Sequence, residues 1–137
     1  MRVKDFMGDI KVKEIMNKEL IPLDPSTTII DALKNQFIHI DYGTIPVVSG
    51  GDKLLGLVTL SNIKKITRSQ WSNTKVSEVM NKVSKNNSLS LEDEATVALT
   101  KMIRTQLDLL PVVEDNRLMG FVTQDILLGF IEAHGRD

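Results

Sequence analysis

The sequence contains no cysteine. That removes disulfides, thiolate nucleophiles and cysteine-based zinc sites together, and it is compatible with a reducing compartment. Histidine is scarce: His39 and His134 are the only two. They lie on different stretches with no paired acid at metal-ligand spacing, so solvated surface positions are the simpler reading and no metal site is expected. Neither sign of charge is in excess, with 17 Lys plus Arg against 18 Asp plus Glu and a formal net charge of −1. A broad attraction to nucleic acid or anionic membrane is therefore not implied, and the modest basic stretch Lys64, Lys65 and Arg68, with Lys75 beyond, reads as a solvated helix end. No apolar run approaches the roughly 20 residues that cross a bilayer. The N-terminal stretch MRVKDFMGDIKVKEIM alternates charges where a secretory signal has an apolar block, so a soluble, cytoplasmic chain is expected. A glycine-rich phosphate loop, a nucleophile elbow and an HExxH pattern are missing too. Catalysis is not expected, and neither is a required cofactor.

What the 137 residues do contain is ordinary in amount, 42% hydrophobic and 26% charged, as in a soluble globular domain. Their order is more informative. Val12-Lys13-Glu14-Ile15-Met16-Asn17 returns 64 positions later as Val76-Ser77-Glu78-Val79-Met80-Asn81. Ile45-Pro46-Val47-Val48 returns 65 positions later as Leu110-Pro111-Val112-Val113, and Gly56-Leu57-Val58-Thr59 returns at 64 as Gly120-Phe121-Val122-Thr123. Three matches in one order mark an internal duplication, and the one-residue drift is what small loop insertions produce.

Each copy has the same local pattern. The VxE[IV]MN segment places apolar residues at i, i+3 and i+4, which suits a single packed helical turn with Met16 and Met80 as core positions. A brief strand follows, around Leu20–Leu23 and around Ser88–Ser90. The next helix has a start signal: Asp24 as cap with Pro25 at the first helical position in one copy, and Ser90 as cap with Asp93 three residues on in the other. Glu92, Asp93 and Glu94 fit an acidic helix N-terminus. The helices carry the stripes Ile30, Leu33, Phe37, Ile40 and Ala95, Leu99, Met102 or Ile103, Leu107. Paired strands then run over Thr44–Val48 and Leu54–Thr59, and over Leu109–Val113 and Leu118–Val122, joined by turn-rich Ser49-Gly50-Gly51-Asp52 and by Glu114-Asp115-Asn116. A closing helix covers Asn62–Ile66 at least, and Asp125–Ala133. The organisation predicted is an N-terminal extension over 1–11, a first motif over 12–66, a polar connection over 67–74, a second motif over 75–133 and a tail over 134–137. A unit of about 60 residues buries little surface alone, so two copies packing on one another solve a stability problem.

A turn with VxE[IV]M, a capped helix, hPVV, and GhVT leading into a helix together resemble the cystathionine-β-synthase (CBS) domain, and the tandem pair resembles a Bateman module. The likeness runs from about Val12 to Ile131. It implies an α/β (α+β) fold of two tandem βαββα units packed through their sheets with pseudo-twofold symmetry. It further implies a homodimer, an adenosine-containing ligand in the inter-motif cleft (AMP, ADP, ATP or S-adenosylmethionine), and an attached or partner enzyme, protease or transporter whose activity the ligand biases.

The resemblance also places a ligand motif, GhxTxxD, at the last strand–helix junction. A Thr hydroxyl and free N–H groups at a helix start favour phosphate, a carboxylate one turn in accepts bonds from a ribose diol, and strand edges wall an adenine. In the first copy the motif reads Gly56-Leu57-Val58-Thr59-Leu60-Ser61-Asn62, with a neutral acceptor for the acid. In the second, Gly120-Phe121-Val122-Thr123-Gln124-Asp125, the acid stands one residue early, a rotation of about 100° on a helix. Candidate ligand residues are thus Thr123, Asp125, Thr59 and Asn62, with lining from Ile21, Pro22, Gly43, Thr44, Ile45, Leu109 and Leu110. Thr59 and Thr123 serve equally well as helix caps worth about 1 kcal/mol each, Asp125 suits the first turn of any helix, and the lining residues also make sense as core. The alternative function is a ligand-free dimerisation module using apolar residues of the last helix such as Leu128 or Phe130. Val3-Lys4-Asp5-Phe6-Met7 is a partial third copy of the VxEhM turn, readable either as a preceding helical turn or as the remnant of a linker.

Overall fold

The structure is a computed structural model that describes residues 10–134; Val3–Met7 and the end of the tail lie outside them. The chain divides into two compact units. The middle unit is Ile21–Val83, and the outer unit joins the residues up to Leu20 to those from Ser84 onward. The boundaries do not follow the repeats: each VxEhM turn packs in the unit that holds the other copy's hairpin.

The middle unit runs α2 (Ile29–Asn35), a 3-10 turn (Phe37–His39), β1 (Thr44–Ser49), β2 (Lys53–Thr59), α3 (Leu60–Lys64), α4 (Val76–Val79) and β3 (Asn81–Lys82). The outer unit holds α1 (Val12–Ile15), α5 (Ala95–Thr105), β4 (Leu109–Glu114), β5 (Arg117–Thr123) and α6 (Gln124–His134). The two hairpins, β1–β2 and β4–β5, are antiparallel and carry a register shift at matching places, Val47/Val48 and Val112/Val113. Their turns account for part of the repeat's drift. Ser49 pairs with Lys53 across three loop residues, with Gly50 and Gly51 at φ 60° and 97°. Glu114 pairs with Arg117 across only Asp115 and Asn116, at φ 50° and 67°, the left-handed pair of a tight hairpin turn.

One alternating set of each hairpin's side chains enters the core of its own unit. The middle core gathers Leu23, Ile29, Ala32, Phe37, Ile45, Val47, Val58, Ile63 and Val76. The outer core gathers Val12, Leu89, Ala95, Ala98, Met102, Leu110, Val112, Val122 and Leu127. Val12 and Val76, one from each VxEhM turn, are wholly buried, worth about 1.5–3 kcal/mol each. Met16 and Met80 pack on these cores as expected. They also lie over the two glycines of GhVT: a β-carbon on Gly120 would stand 2.9 Å from both the Asn17 carbonyl oxygen and the Met16 sulfur, and one on Gly56 would run into the Asn81 carbonyl. Glycine is required there by this close crossing of two backbones.

Three local expectations are corrected. The brief strands at Leu20–Leu23 and Ser88–Ser90 are single parallel bridges, Leu23 to Val47 and Leu89 to Val112. In parallel pairing the Leu23 N–H donates to the Pro46 carbonyl at 2.9 Å and the Val48 N–H to Leu23. The next bond would need an N–H from Pro46, which has none; Pro111 stops the second copy in the same way. Asp24 does not cap α2. It accepts the Ser26 hydroxyl at 2.6 Å and the Ser26 N–H at 2.9 Å in a turn, and these bonds, the hydroxyl's first, hold its carboxyl below the usual carboxylate range. The cap is Thr28, whose side chain accepts from the Asp31 amide. Ser90 likewise precedes its helix: its N–H donates to Asp93 at 2.8 Å, and α5 starts after Glu94. The stripes shift accordingly, with Ile29 and Ala32 buried ahead of Ile30 and Leu33, and Ile103 70% exposed.

Candidate ligand site

The strand–helix junctions form where β2 and β5 end in a threonine. Thr59 and Thr123 are each 8% exposed, in extended conformation at Thr59, and each caps the helix it precedes. The Asn62 amide donates to Thr59 Oγ1 at 3.0 Å, and the Ile126 amide to Thr123 Oγ1 at 3.2 Å. A backbone bond ties each helix start to the residue before the paired strand: Leu60 N–H to the Gly43 carbonyl and Gln124 N–H to the Asp108 carbonyl, both 2.9 Å. Gly43, Thr44 and Thr59 thus come together, Thr44 facing Thr59 in register as Leu109 faces Thr123.

The two positions that replace the motif's acid differ in kind. Asn62 is half-buried, and its side-chain amide donates to the Val79 carbonyl at 2.9 Å, closing the C-terminal end of α4. The corresponding Ile126 is half-buried against the outer core, on which Ile15, the counterpart of Val79, also packs. Asp125 is exposed at the first turn of α6, so the outer junction carries a carboxylate that the middle junction, with no acid in the first turn of α3, does not. Of the first three α6 amides, two are used by Asp108 and Thr123; the Asp125 N–H is the donor left at the helix start.

The lining residues separate into two groups. Ile45, Leu109 and Leu110 are at most 1% exposed and act as core. Ile21 and Pro22 are reachable, with Ile21 76% exposed, and they run beside the start of β1 because of the Leu23–Val47 bridge. Their carbonyls, which lack a strand partner, are held from the side by the Gln36 amide at 3.3 and 3.5 Å. The outer unit solves the same problem with charge, Lys101 Nζ donating to the Ser88 carbonyl at 2.8 Å and to that of Lys85 at 2.6 Å. Neither Gln36 nor Lys101 stood out in the sequence; the only signal is that they stand 65 positions apart, the offset of the hPVV blocks. The Gln36 Oε1 atom is buried without a hydrogen-bond partner. Of the C-terminal candidates, Leu128 is 50% exposed, whereas Phe130 packs on the outer core and is not an exposed anchor. Among the described residues no cluster of three or more His, Asp or Glu side chains is arranged to hold a metal, and no helix is long and apolar enough to cross a membrane.

Two Thr-capped junctions, each reached from a hairpin by the same backbone bond, are a duplicated arrangement on a duplicated fold. The sequence matches the CBS domain family over residues 12–68 and again over 76–133. The chain belongs to the CBS domain family. A tandem CBS pair is a regulatory module. The inosine-5′-monophosphate dehydrogenase of Methanocaldococcus jannaschii is 34% identical over 119 residues, covering 85% of this chain and 23% of that enzyme; the chain spans under a quarter of that relative. The CBS domain of a bacterial CNNM/CorC family Mg2+ transporter, solved in complex with ATP, matches with a TM-score of 0.78 at 18% identity, covering 95% of this chain and 92% of that one. The CBS domain pair of protein MJ0100, solved with 5′-methylthioadenosine and S-adenosyl-L-methionine, matches with a TM-score of 0.72 at 25% identity, covering 90% and 96%.

Proposed function

We propose that this CBS pair is a non-catalytic regulatory module that senses an adenosine-containing ligand and biases an attached or partner protein. The observation that carries the reading is the pair of Thr-capped junctions, Thr59 with Gly43 and Thr44, and Thr123 with Asp125, each ending a buried strand at a helix start. The adenosine ligands of the solved relatives and the nucleotide enzyme among the relatives support it. Charge divides the two junctions. A phosphate-bearing ligand (AMP, ADP or ATP) suits Thr59, Ser61 and Asn62, where no acid opposes it. A cationic one, S-adenosylmethionine, suits the Asp125 side. A module of this kind acts by binding one conformation of its effector better than another.

The test is thermal unfolding with AMP, ADP, ATP and S-adenosylmethionine at millimolar concentration. A ligand at a hundred times its Kd adds about 2.7 kcal/mol to the folded state and raises the midpoint. The rise should be lost in Thr123→Ala or Asp125→Ala if the outer junction is used, and in Thr59→Ala if the middle one is. No rise with any of the four would overturn the adenosine reading and leave the dimerisation module, for which half-exposed Leu128 is the relevant feature.

A further inference from the structure

The VxEhM turns are arms. The segment Ile10–Asn17 belongs to the outer unit but joins the rest of that unit only through contacts, since the chain between Leu20 and Ser84 is the middle unit. Its attachments are almost all made by backbone. Val12 N–H donates to the Asp93 carbonyl at 2.7 Å, Lys13 N–H to Leu91 at 3.2 Å, and Ala95 N–H to Ile10 at 2.8 Å. Asn17 and Phe121 exchange two bonds, both 2.8 Å. Val12 fills the core, and Lys13 pairs with Glu92 at 2.6 Å. The second arm repeats this docking in the middle unit: Val76 N–H to Thr27, Ser77 N–H to Pro25, Ile29 N–H to Thr74, and Asn81 against Leu57. Each hairpin body therefore has a slot for a V-x-E-h-M-N peptide, and each slot is filled by a segment that the chain brings from elsewhere. The Ile10–Asn17 arm is tied to the middle unit by Lys18, Glu19 and Leu20, which lie outside any helix or strand.

We propose that the outer slot is also an interaction site for the Ile10–Asn17 arm of a second copy of this chain, so that two chains associate by exchanging arms. A second copy supplies every one of these contacts unchanged, which is why exchange of an identical element is a low-cost route to a dimer. Only the effective concentration of the arm separates the closed chain from the exchanged pair, and Lys18, Glu19 and Leu20 are the segment that would have to open. The proposal rests on the backbone docking of the arm and requires no ligand at the junctions.

The absence of cysteine makes the test clean. Lys11 and Glu94 form an antiparallel bridge across the arm and its slot, flanked by the Val12–Asp93 and Ala95–Ile10 bonds. This is the non-hydrogen-bonded kind of pair, with Cα atoms about 4.5 Å apart, within disulfide range. A tagged chain carrying Lys11→Cys and an untagged one carrying Glu94→Cys would be co-expressed and oxidised. Exchange predicts a covalent tagged–untagged dimer in several-fold excess over a control pair, Lys11→Cys with exposed Lys64→Cys. Cross-linking no greater than the control overturns the proposal. So does the single chain carrying both Lys11→Cys and Glu94→Cys if its oxidation gives only a looped monomer; a covalent dimer from that chain supports it.

Discussion

Replacing Gly56 by alanine adds one methyl group where β2 is crossed by the chain leaving α4. That methyl would overlap the Asn81 carbonyl oxygen and stand 3.0 Å from the Met80 sulfur. The sulfur ends a flexible side chain and can swing away. The carbonyl cannot, because β3 is fixed by pairing of Leu57 with Asn81 and of Gly56 with Lys82, and by the Val83 N–H bond to Leu55 at 3.1 Å. Overpacking a tight site costs about 1–3 kcal/mol, and a displaced β3 forfeits a backbone bond worth about 0.5–1.5 kcal/mol. Against this, alanine restricts the unfolded chain and returns about 0.4–1 kcal/mol. The net expectation is a loss of about 1–3 kcal/mol, or a midpoint lower by roughly 3–10 °C for a chain of this size.

Trp71 is the only tryptophan, packs on the middle core, and donates from Nε1 to the Ile66 carbonyl at 3.0 Å, so its fluorescence follows the unit that contains Gly56. Gly129→Ala is the control, because a β-carbon there meets nothing within 4 Å. In a helix interior that change should stabilise by up to about 1 kcal/mol, the opposite sign from the same chemical substitution. A Gly56→Ala midpoint at or above that of the parent would refute the crossing argument. Full rescue by adding Met80→Ala would refute it in part, showing that the sulfur rather than the carbonyl is the obstacle.

Other expectations follow from the caps and charges. Thr59→Ala and Thr123→Ala should each cost about 1 kcal/mol in chemical denaturation even with no ligand present, while Thr→Ser at either place should cost less. Asn62→Ala leaves the Val79 carbonyl at the end of α4 without its side-chain donor, for about 1 kcal/mol. Hydrogen exchange at α4 and β3 should quicken while α6 is unaffected. Lys13 holds the Glu92 carboxyl below the usual range, through a direct hydrogen bond first and charge second, and Lys13 is raised by the same partner. A lowered carboxyl pKa means that any stability from Glu92 is present above the ordinary glutamate range and lost as pH falls through its lowered value; the raised Lys13 contributes below the ordinary lysine range and loses it as pH rises further. Both side chains are exposed, at 47% and 70%. The midpoint difference between the parent and Glu92→Gln should therefore be small near neutrality and vanish in acid and in high salt.

How much of this the sequence held depends on how local each cause is. The hairpins were legible to within a residue or so at each end because turn residues and the hPVV and GhVT blocks act over a few positions. The VxEhM turns were legible as elements for the same reason. Their partners were not: Val12 and Val76 look alike in composition, and nothing in a repeat says whether a turn packs on its own copy or on the other. That is fixed by the long-range bonds of Val12 to Asp93 and Val76 to Thr27. The failed strands have a cause in plain view. Pro46 and Pro111 sit where a parallel neighbour needs a donor, and the sequence pattern alone gave no reason to look for that neighbour. The acid positions show the same limit at the site. A one-residue offset at Asp125 is visible in the sequence, but its consequence is decided by packing: the outer core takes Ile126 as an apolar side chain, which sends Asp125 to the surface, while the matching turn in the middle unit uses Asn62 to close α4. The two copies have therefore diverged where a side chain meets the other copy's arm, and that contact cannot be foreseen until the exchange of arms is known.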